Sequence, residues 1–343
     1  MTDQFELPTS RLRVLVTDHL AQRGVELIRL TPGFEVEVVN DVAPAELAER
    51  CRTADALVVR SATRVTAELL AACPRLKVVG RAGVGVDNVD LEAATAQGVV
   101  VMNTPGGNAI SAAEHTLSML LSLAKNIPQA TASMKEGKWE KSRFLSTELA
   151  AKTLGIIGLG RIGGEVAKRA KAFAMRVLVC DPYVSAERAQ TMGVELVDLP
   201  ELYRQADFIT LHTPRTDETT NLICAATIAR MKNGVRIINC ARGGIVNEAD
   251  LYEALKSGKV AGAALDVFAT EPITDSLLFT LPNFISTPHL GAASEEAQEA
   301  VALEIALQVI DYLQKGVIRS ALNAPSVPLE MLRKLQPYLT LGE

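Results

Sequence analysis

Short apolar runs alternate with amphipathic stretches along almost the whole chain, and this pattern restricts the fold more than any other feature of the sequence. A strand buried on both faces of a parallel sheet reads as a continuous apolar run, and the amphipathic stretch after it reads as the crossover helix. Two series are visible. The first comprises residues 13–17, 35–39, 56–59, 76–79 and 99–102, and predicts a five-stranded unit. The second comprises residues 154–157, 177–180, 208–211, 235–238, 262–266 and 284–286, and predicts a six-stranded doubly wound sheet. The expected class is α/β, with two doubly wound parallel-sheet domains, which suits a chain of 343 residues. Residues 111–125 and 294–315 read as helices apolar enough to be buried or to bridge the domains.

Charge narrows the partners. Lysine and arginine number 35 against 40 aspartates and glutamates, a net charge of −5, so no global basic field exists to gather nucleic acid or an anionic membrane. An anion site must therefore be local. The first ten residues carry Asp3 and Glu6 without an apolar core, no run approaches membrane-spanning length, and a cytoplasmic location is expected. The five cysteines, at 51, 73, 180, 224 and 240, are odd in number and lack the close spacing of metal or redox pairs. They are read as reduced and structural, and no metal site is expected.

The sharpest local signal is Gly158-Leu159-Gly160-Arg161-Ile162-Gly163, placed between the run 154–157 and a helical stretch from Glu165 to Phe173. In a G-x-G-x-x-G turn the first glycine allows the tight bend, the second lets backbone approach a pyrophosphate, and the third lets helix and strand pack closely. The helix then presents its positive end to the phosphates. The next apolar run ends at Asp181, 21 residues after Gly160. A carboxylate there can accept hydrogen bonds from ribose hydroxyls and would repel a 2′-phosphate, so the expected cofactor is NAD. A glycine-rich turn followed by an unrelated strand-end acid is the plainer alternative.

Three later runs end in chemically capable residues: Arg242 in Cys240-Ala241-Arg242-Gly243-Gly244, Glu271 in the segment from Asp266 to Pro272, and His289 in Thr287-Pro288-His289-Leu290-Gly291. In an open parallel sheet these ends share one edge, where ligands bind. His289 can accept the proton of a secondary alcohol, Glu271 can orient its ring, and Arg242 offers a planar fork for a carboxylate. Taken singly, Glu271 can be a turn residue, Arg242 a surface ion pair and His289 a loop histidine. The three together favour chemistry. His19, His115 and His212 have weaker cases, His115 following Glu114 inside the bridging helix and His212 lying near the cofactor crevice without an evident partner, and are read as structural.

At these residues the chain resembles the D-isomer-specific 2-hydroxyacid dehydrogenase family, over about residues 12–325. The resemblance implies a Rossmann NAD domain, residues 105–291, inserted in a flavodoxin-like substrate domain of residues 1–104 and 292–343. It implies catalytic roles for Arg242, Glu271 and His289, the last as acid/base. It also implies an NAD site lined by Val84, Gly158, Gly160, Arg161, Ile162, Gly163, Asp181, Thr213, Ala241, Asp266, Gly291 and Ala292.

Segments 59–63, 80–90 and 103–108 resemble those bordering the substrate cleft of family members that act on a phosphorylated hydroxy acid. They imply substrate contacts from Arg60, Ser61, Arg81, Gly83 and Asn108, the two arginines suiting a phosphate. Either arginine alone can be an ordinary surface charge. The implied reaction is oxidation of 3-phospho-D-glycerate to 3-phosphohydroxypyruvate, the first step of L-serine biosynthesis. Residues 129–139 resemble a dimerisation segment, which implies a homodimer or a tetramer of dimers, and residues 328–343 read as a helix cut short. Two alternatives stand beside this reading: a glyoxylate or hydroxypyruvate reductase, and an NAD-sensing corepressor or scaffold on the same fold.

Overall fold

A computed structural model of the chain describes residues 11–325; the helix expected at 328–343 and the first ten residues lie outside them. The described residues divide into two compact units, one of residues 11–108 with 294–325 and the other Ala109–Ala293. The division falls at Asn108 and Ala293, a few residues beyond the boundaries at 104 and 291 expected from the sequence.

The first unit runs β1 (Leu12–Val16), α1 (Gln22–Leu30), β2 (Phe34–Val38), α2 (Pro44–Cys51), β3 (Ala56–Val59), α3 (Ala67–Ala72), β4 (Val78–Arg81), α4 (Leu91–Ala96) and β5 (Val100–Asn103). The second runs α5 (Ala109–Lys125), α6 (Ile127–Lys135), β6 (Thr153–Ile157), α7 (Arg161–Ala172), β7 (Arg176–Cys180), α8 (Ala186–Met192), β8 (Glu195–Leu196), α9 (Leu199–Gln205), β9 (Phe208–Leu211), α10 (Ala225–Ile228), β10 (Val235–Asn239), α11 (Glu248–Lys256), β11 (Val260–Leu265) and β12 (Phe284–Ser286). Helix α12 (Glu295–Lys315) returns to the first unit.

Both sheets are wholly parallel. The first has the order β2-β1-β3-β4-β5, the flavodoxin-like arrangement with its switch point between β1 and β3. The second has the order β12-β11-β10-β9-β6-β7-β8, a Rossmann sheet whose order reverses between β6 and β9. It has seven strands where the sequence predicts six. The extra strand, β8, is two exposed edge residues, too short to leave an apolar run.

The inner strands of each sheet are buried on both faces, which is why they read as continuous apolar runs, whereas edge strand β2, Phe34-Glu35-Val36-Glu37-Val38, alternates and is partly exposed. In the first unit Val14, Val16, Val58 and Val78 pack under α1 and α12, while Leu15, Leu57, Val59 and Val79 face α2, α3 and α4. Helix α12 starts at Ser294, whose side chain accepts from the Ala297 N–H, and stops at Gly316 in the left-handed region at φ +66°. Its expected companion, α5, packs in the second unit through Leu117, Leu120 and Leu123 beneath β6 and β10. Among the described residues no helix is long and apolar enough to cross a membrane.

The crossing of α1 and α12 depends on a missing side chain. A Cβ on Gly24 would lie 2.6 Å from the carbonyl oxygen of Ala302 and 2.8 Å from its Cβ, contacts that only a backbone shift relieves. Gly24→Ala gains about 1 kcal/mol of helix propensity, but overpacking costs about 1–3 kcal/mol. The variant should therefore unfold at lower urea concentration than the parent; an equal or higher midpoint would refute this account of the crossing.

His212 follows β9, with its Nε2 3.1 Å from Thr210 Oγ1, and burial pushes its imidazole down to about 4. The folded protein thus resists protonating a ring that the unfolded chain protonates near 6.5. Between these values the unfolded state binds more protons, so this contribution is complete above the unfolded value and is lost as pH falls toward the folded one. It amounts to about 3 kcal/mol. His212→Asn should flatten the decline in stability between neutral pH and about pH 4; urea midpoints that fall in parallel for both proteins would contradict it.

Candidate active site

Strand β6 ends at Ile157 and the chain turns at Gly158, whose φ of +95° favours glycine. A Cβ there would lie 2.6 Å from the His212 carbonyl oxygen, and one on Gly163, in the first turn of α7, would lie 2.1 Å from the Gly158 oxygen. These two glycines let helix, turn and strand touch. Gly160 differs: it caps α7, is exposed, and has nothing within 4 Å of where its Cβ would be. The open space lies at the positive end of a twelve-residue helix. Arg161 is exposed beside it, and Ile162 packs inward on the second unit's core.

Asp181, after β7, accepts hydrogen bonds from the Leu159 N–H at 2.6 Å and the Tyr183 N–H at 2.8 Å, one on each carboxylate oxygen. It thereby ties the glycine turn to the adjacent strand. A carboxylate offers about four acceptor positions, so this arrangement is compatible with further acceptance from ribose hydroxyls. Thr213 contributes a buried hydroxyl without a hydrogen-bond partner among the described residues, on the segment that touches Gly158. An open glycine at a helix N-terminus beside an orphaned hydroxyl fits a phosphate-bearing polar ligand.

Past β10, Ala241 is almost buried and its N–H donates to Asn239 Oδ1, while Asn239 Nδ2 donates to the Arg242 carbonyl. One Arg242 Nη1 donor reaches the Ala241 oxygen at 2.7 Å. A Cβ on Gly243 would fall 1.7 Å from the Phe268 oxygen, so the turns after β10 and β11 lie against one another. On the second of these turns Glu271 Oε1 accepts from the Phe268 N–H at 2.9 Å. Its Oε2 is 2.7 Å from His289 Nδ1, and both side chains retain solvent access. The pairing leaves Nε2 as the histidine nitrogen available for proton transfer. The backbone of His289 is left-handed at φ +56°.

Asp266 is wholly buried. Its carboxylate accepts from the N–H groups of Leu290 at 2.7 Å and Gly291 at 2.9 Å and from the Thr287 hydroxyl, and its carbonyl accepts from the His289 N–H at 2.9 Å. Burial alone would raise its pKa; His115, Thr287 and the Leu290 amide outweigh it and hold the group below the ordinary value. The acid expected to line the cofactor site therefore has its oxygens engaged by the turn that carries His289. Ala292, next after Gly291, is half-buried. Cys240 nearby is pushed up to about 12, first by burial and then by the Asp266 charge, and stays a thiol.

In the first unit Arg60 follows β3 and Arg81 ends β4 in register with Val59, the residue before Arg60. Asp18 Oδ2 accepts from the N–H groups of Arg60 and Thr63, at 2.8 and 2.9 Å, while Asn88 Nδ2 donates to both carbonyls of the same pair. This clamp sets the loop carrying exposed Ser61 at the β1/β3 switch point. Gly83, at φ +141°, lies beneath the Arg81 guanidinium and its N–H donates to Thr104 Oγ1. Val84 accepts from Asn103 Nδ2, and Asn108 Oδ1 is buried without a partner among the described residues. The sequence reading missed Asp18 and Asn239, which lie in none of its motifs, and it named Asn88 and Thr287 only within the segments 80–90 and 287–291, without a role. It also missed the link between His115 and Asp266, which sequence separation hides.

Residues 117–291 match the family model of the D-isomer specific 2-hydroxyacid dehydrogenase, NAD binding domain. The chain is 50% identical over 333 residues to a D-3-phosphoglycerate dehydrogenase of Methanocaldococcus jannaschii, a match covering 97% of this chain and 63% of that one. It thus spans somewhat under two thirds of the length of the relative. The TT0316 protein of Thermus thermophilus is structurally similar, with a TM-score of 0.82 at 36% identity over 88% of this chain and 97% of the other. So is a D-lactate dehydrogenase of Aquifex aeolicus solved with NAD and lactic acid, with a TM-score of 0.78 at 32% identity over 91% and 100%. The chain belongs to the D-isomer specific 2-hydroxyacid dehydrogenase family, and NAD is the cofactor of its second unit.

Proposed function

We propose that this chain oxidises 3-phospho-D-glycerate with NAD+ to 3-phosphohydroxypyruvate, the first step of L-serine biosynthesis. The observation that carries the chemistry is the 2.7 Å contact between Glu271 Oε2 and His289 Nδ1, on the domain that the family uses for NAD. The half-identity to a D-3-phosphoglycerate dehydrogenase and the placement of Arg60 and Arg81 at neighbouring strand ends support the substrate.

The nicotinamide of bound NAD+ supplies the hydride acceptor. Glycines 158, 160 and 163 with Arg161, Ile162 and Thr213 hold the dinucleotide, and Asp181 selects the unphosphorylated ribose. Ala241, Gly291 and Ala292 complete that site, with Asp266 holding the Leu290–Gly291 backbone in place. His289 Nε2 takes the substrate hydroxyl proton as the C–H bond breaks. Glu271 keeps the other ring proton on Nδ1 and stabilises the imidazolium that forms. Arg242 has the donor geometry to hold the substrate carboxylate and to stabilise the carbonyl oxygen as it forms. Arg60 and Arg81 bind the phosphate, with Ser61, Gly83 and Asn108 lining that end.

The apolar side chains on the segment expected to dimerise support a homodimer or a tetramer of dimers: Trp139 is 82% exposed and Met134 54% in the single chain. We place the enzyme in the cytoplasm, on its acidic composition and its free cysteines, which suit a reducing compartment.

His289→Ala should lower kcat by about 10²–10⁴-fold with little change in NAD affinity; a folded variant with unchanged turnover would remove the acid/base assignment. Steady-state kinetics should favour phosphorylated over unphosphorylated hydroxy acids, and Arg60→Ala should raise KM for the phosphorylated substrate by roughly 10-fold or more. Equal efficiency on both substrate types would defeat the phosphate reading and favour a glyoxylate or hydroxypyruvate reductase. Nucleotide binding without turnover of any hydroxy acid would favour a sensing role.

A further inference from the structure

We infer that His115 is a positioning residue for His289, acting through Asp266 and Thr287. It lies on α5, 174 residues before the histidine it serves, and its side chain is 18% exposed. Its Nε2 is 3.0 Å from Thr287 Oγ1 and 3.2 Å from Asp266 Oδ1. One N–H on that nitrogen faces both acceptors.

What it faces is the anchor of the catalytic turn. Three consecutive N–H groups, of His289, Leu290 and Gly291, end on Asp266, and the hydroxyl of Thr287 does too. His289 itself holds a left-handed backbone, which a non-glycine residue keeps only where its surroundings over-determine it. Asp266 is 0% exposed, so its charge must be met by donors within the fold. Among the described residues the ionisable groups that face it are His115 and Cys240, and burial raises the latter's thiol to about 12. On its own helix His115 adjoins Glu114, which is exposed and turned toward Arg169 on α7 at 3.4 Å. The same imidazole, thiol and carboxylate lie within 4.8 Å of one another. The carboxylate is committed to the turn, and the cluster serves as its hydrogen-bonded support.

The inference rests on the proposed role of His289 for its kinetic consequence, but not for its structural one. Two variants separate the contributions: His115→Leu removes the donor, and His115→Gln returns an uncharged N–H at similar reach. Hydrogen exchange of the peptide spanning 287–291, followed without added nucleotide, should quicken by about tenfold in the leucine variant and recover in the glutamine variant. With NAD+ and 3-phospho-D-glycerate, kcat should fall by about tenfold or more in the leucine variant, with KM within about twofold, and return with glutamine. The pH profile of kcat/KM should shift with leucine and be restored with glutamine.

Unchanged exchange at 287–291 in His115→Leu would overturn the inference, as would a glutamine variant no better than leucine. If the leucine variant does not fold, His115→Asn, whose shorter amide cannot span both acceptors, should show the same local quickening and loss of kcat, and its absence would be equally decisive. A parent protein inactive on every hydroxy acid would sink the functional proposal while the exchange measurement still judged this one.

Discussion

Every strand pairing in both sheets is parallel, and the rest of the molecule follows from that constraint. A parallel pair needs a crossover between its strands, the crossovers bury both faces of the sheet, and all the strand carboxyl ends in one sheet come to lie along one edge. The residues immediately after those ends are then neighbours whatever their separation in sequence. Gly158, Asp181, Thr213, Arg242, Asp266 and His289 all occupy such positions in the second unit. Asp18, Arg60 and Gly83 do so in the first.

That edge carries a cost which the same residues meet. Chain leaving a strand loses its ladder partners, so the backbone N–H groups of the next few residues need acceptors. Three aspartates supply them: Asp18 for Arg60 and Thr63, Asp181 for Leu159 and Tyr183, and Asp266 for Leu290 and Gly291. An ionised carboxylate makes such bonds shorter and stronger than a neutral acceptor does. Each candidate ligand-binding turn is therefore held by a charged acceptor placed just past a strand. The left-handed backbone at His289 is tolerated within such a turn.

Much of this was legible in the sequence, for reasons that differ by residue. The apolar runs gave the inner strands to within a residue or two because burial on both faces leaves no alternation to misread, and edge strand β2 was legible from its alternation. Gly158, Gly163 and Asp181 were legible because a tight turn followed by a strand-end acid leaves a local signature. Strand β8 was not, since two exposed residues carry no pattern. Asp18 and Asn88 were not either: their partners at 60 and 63 come from the other side of a crossover, and nothing adjacent to them marks the contact.

The sequence by itself determined the α/β class, the cofactor turn and the identity of the groups able to move a proton, because those depend on local spacing and on residue chemistry. The tertiary structure decided which groups are partners. It set Glu271 against His289 Nδ1, committed Asp266 to the turn that carries His289, and brought His115 within reach of Asp266, a contact that its place in an apolar helix conceals. Such pairings are fixed by the register of strands and the packing of helices between residues far apart in the chain, and no local pattern records them.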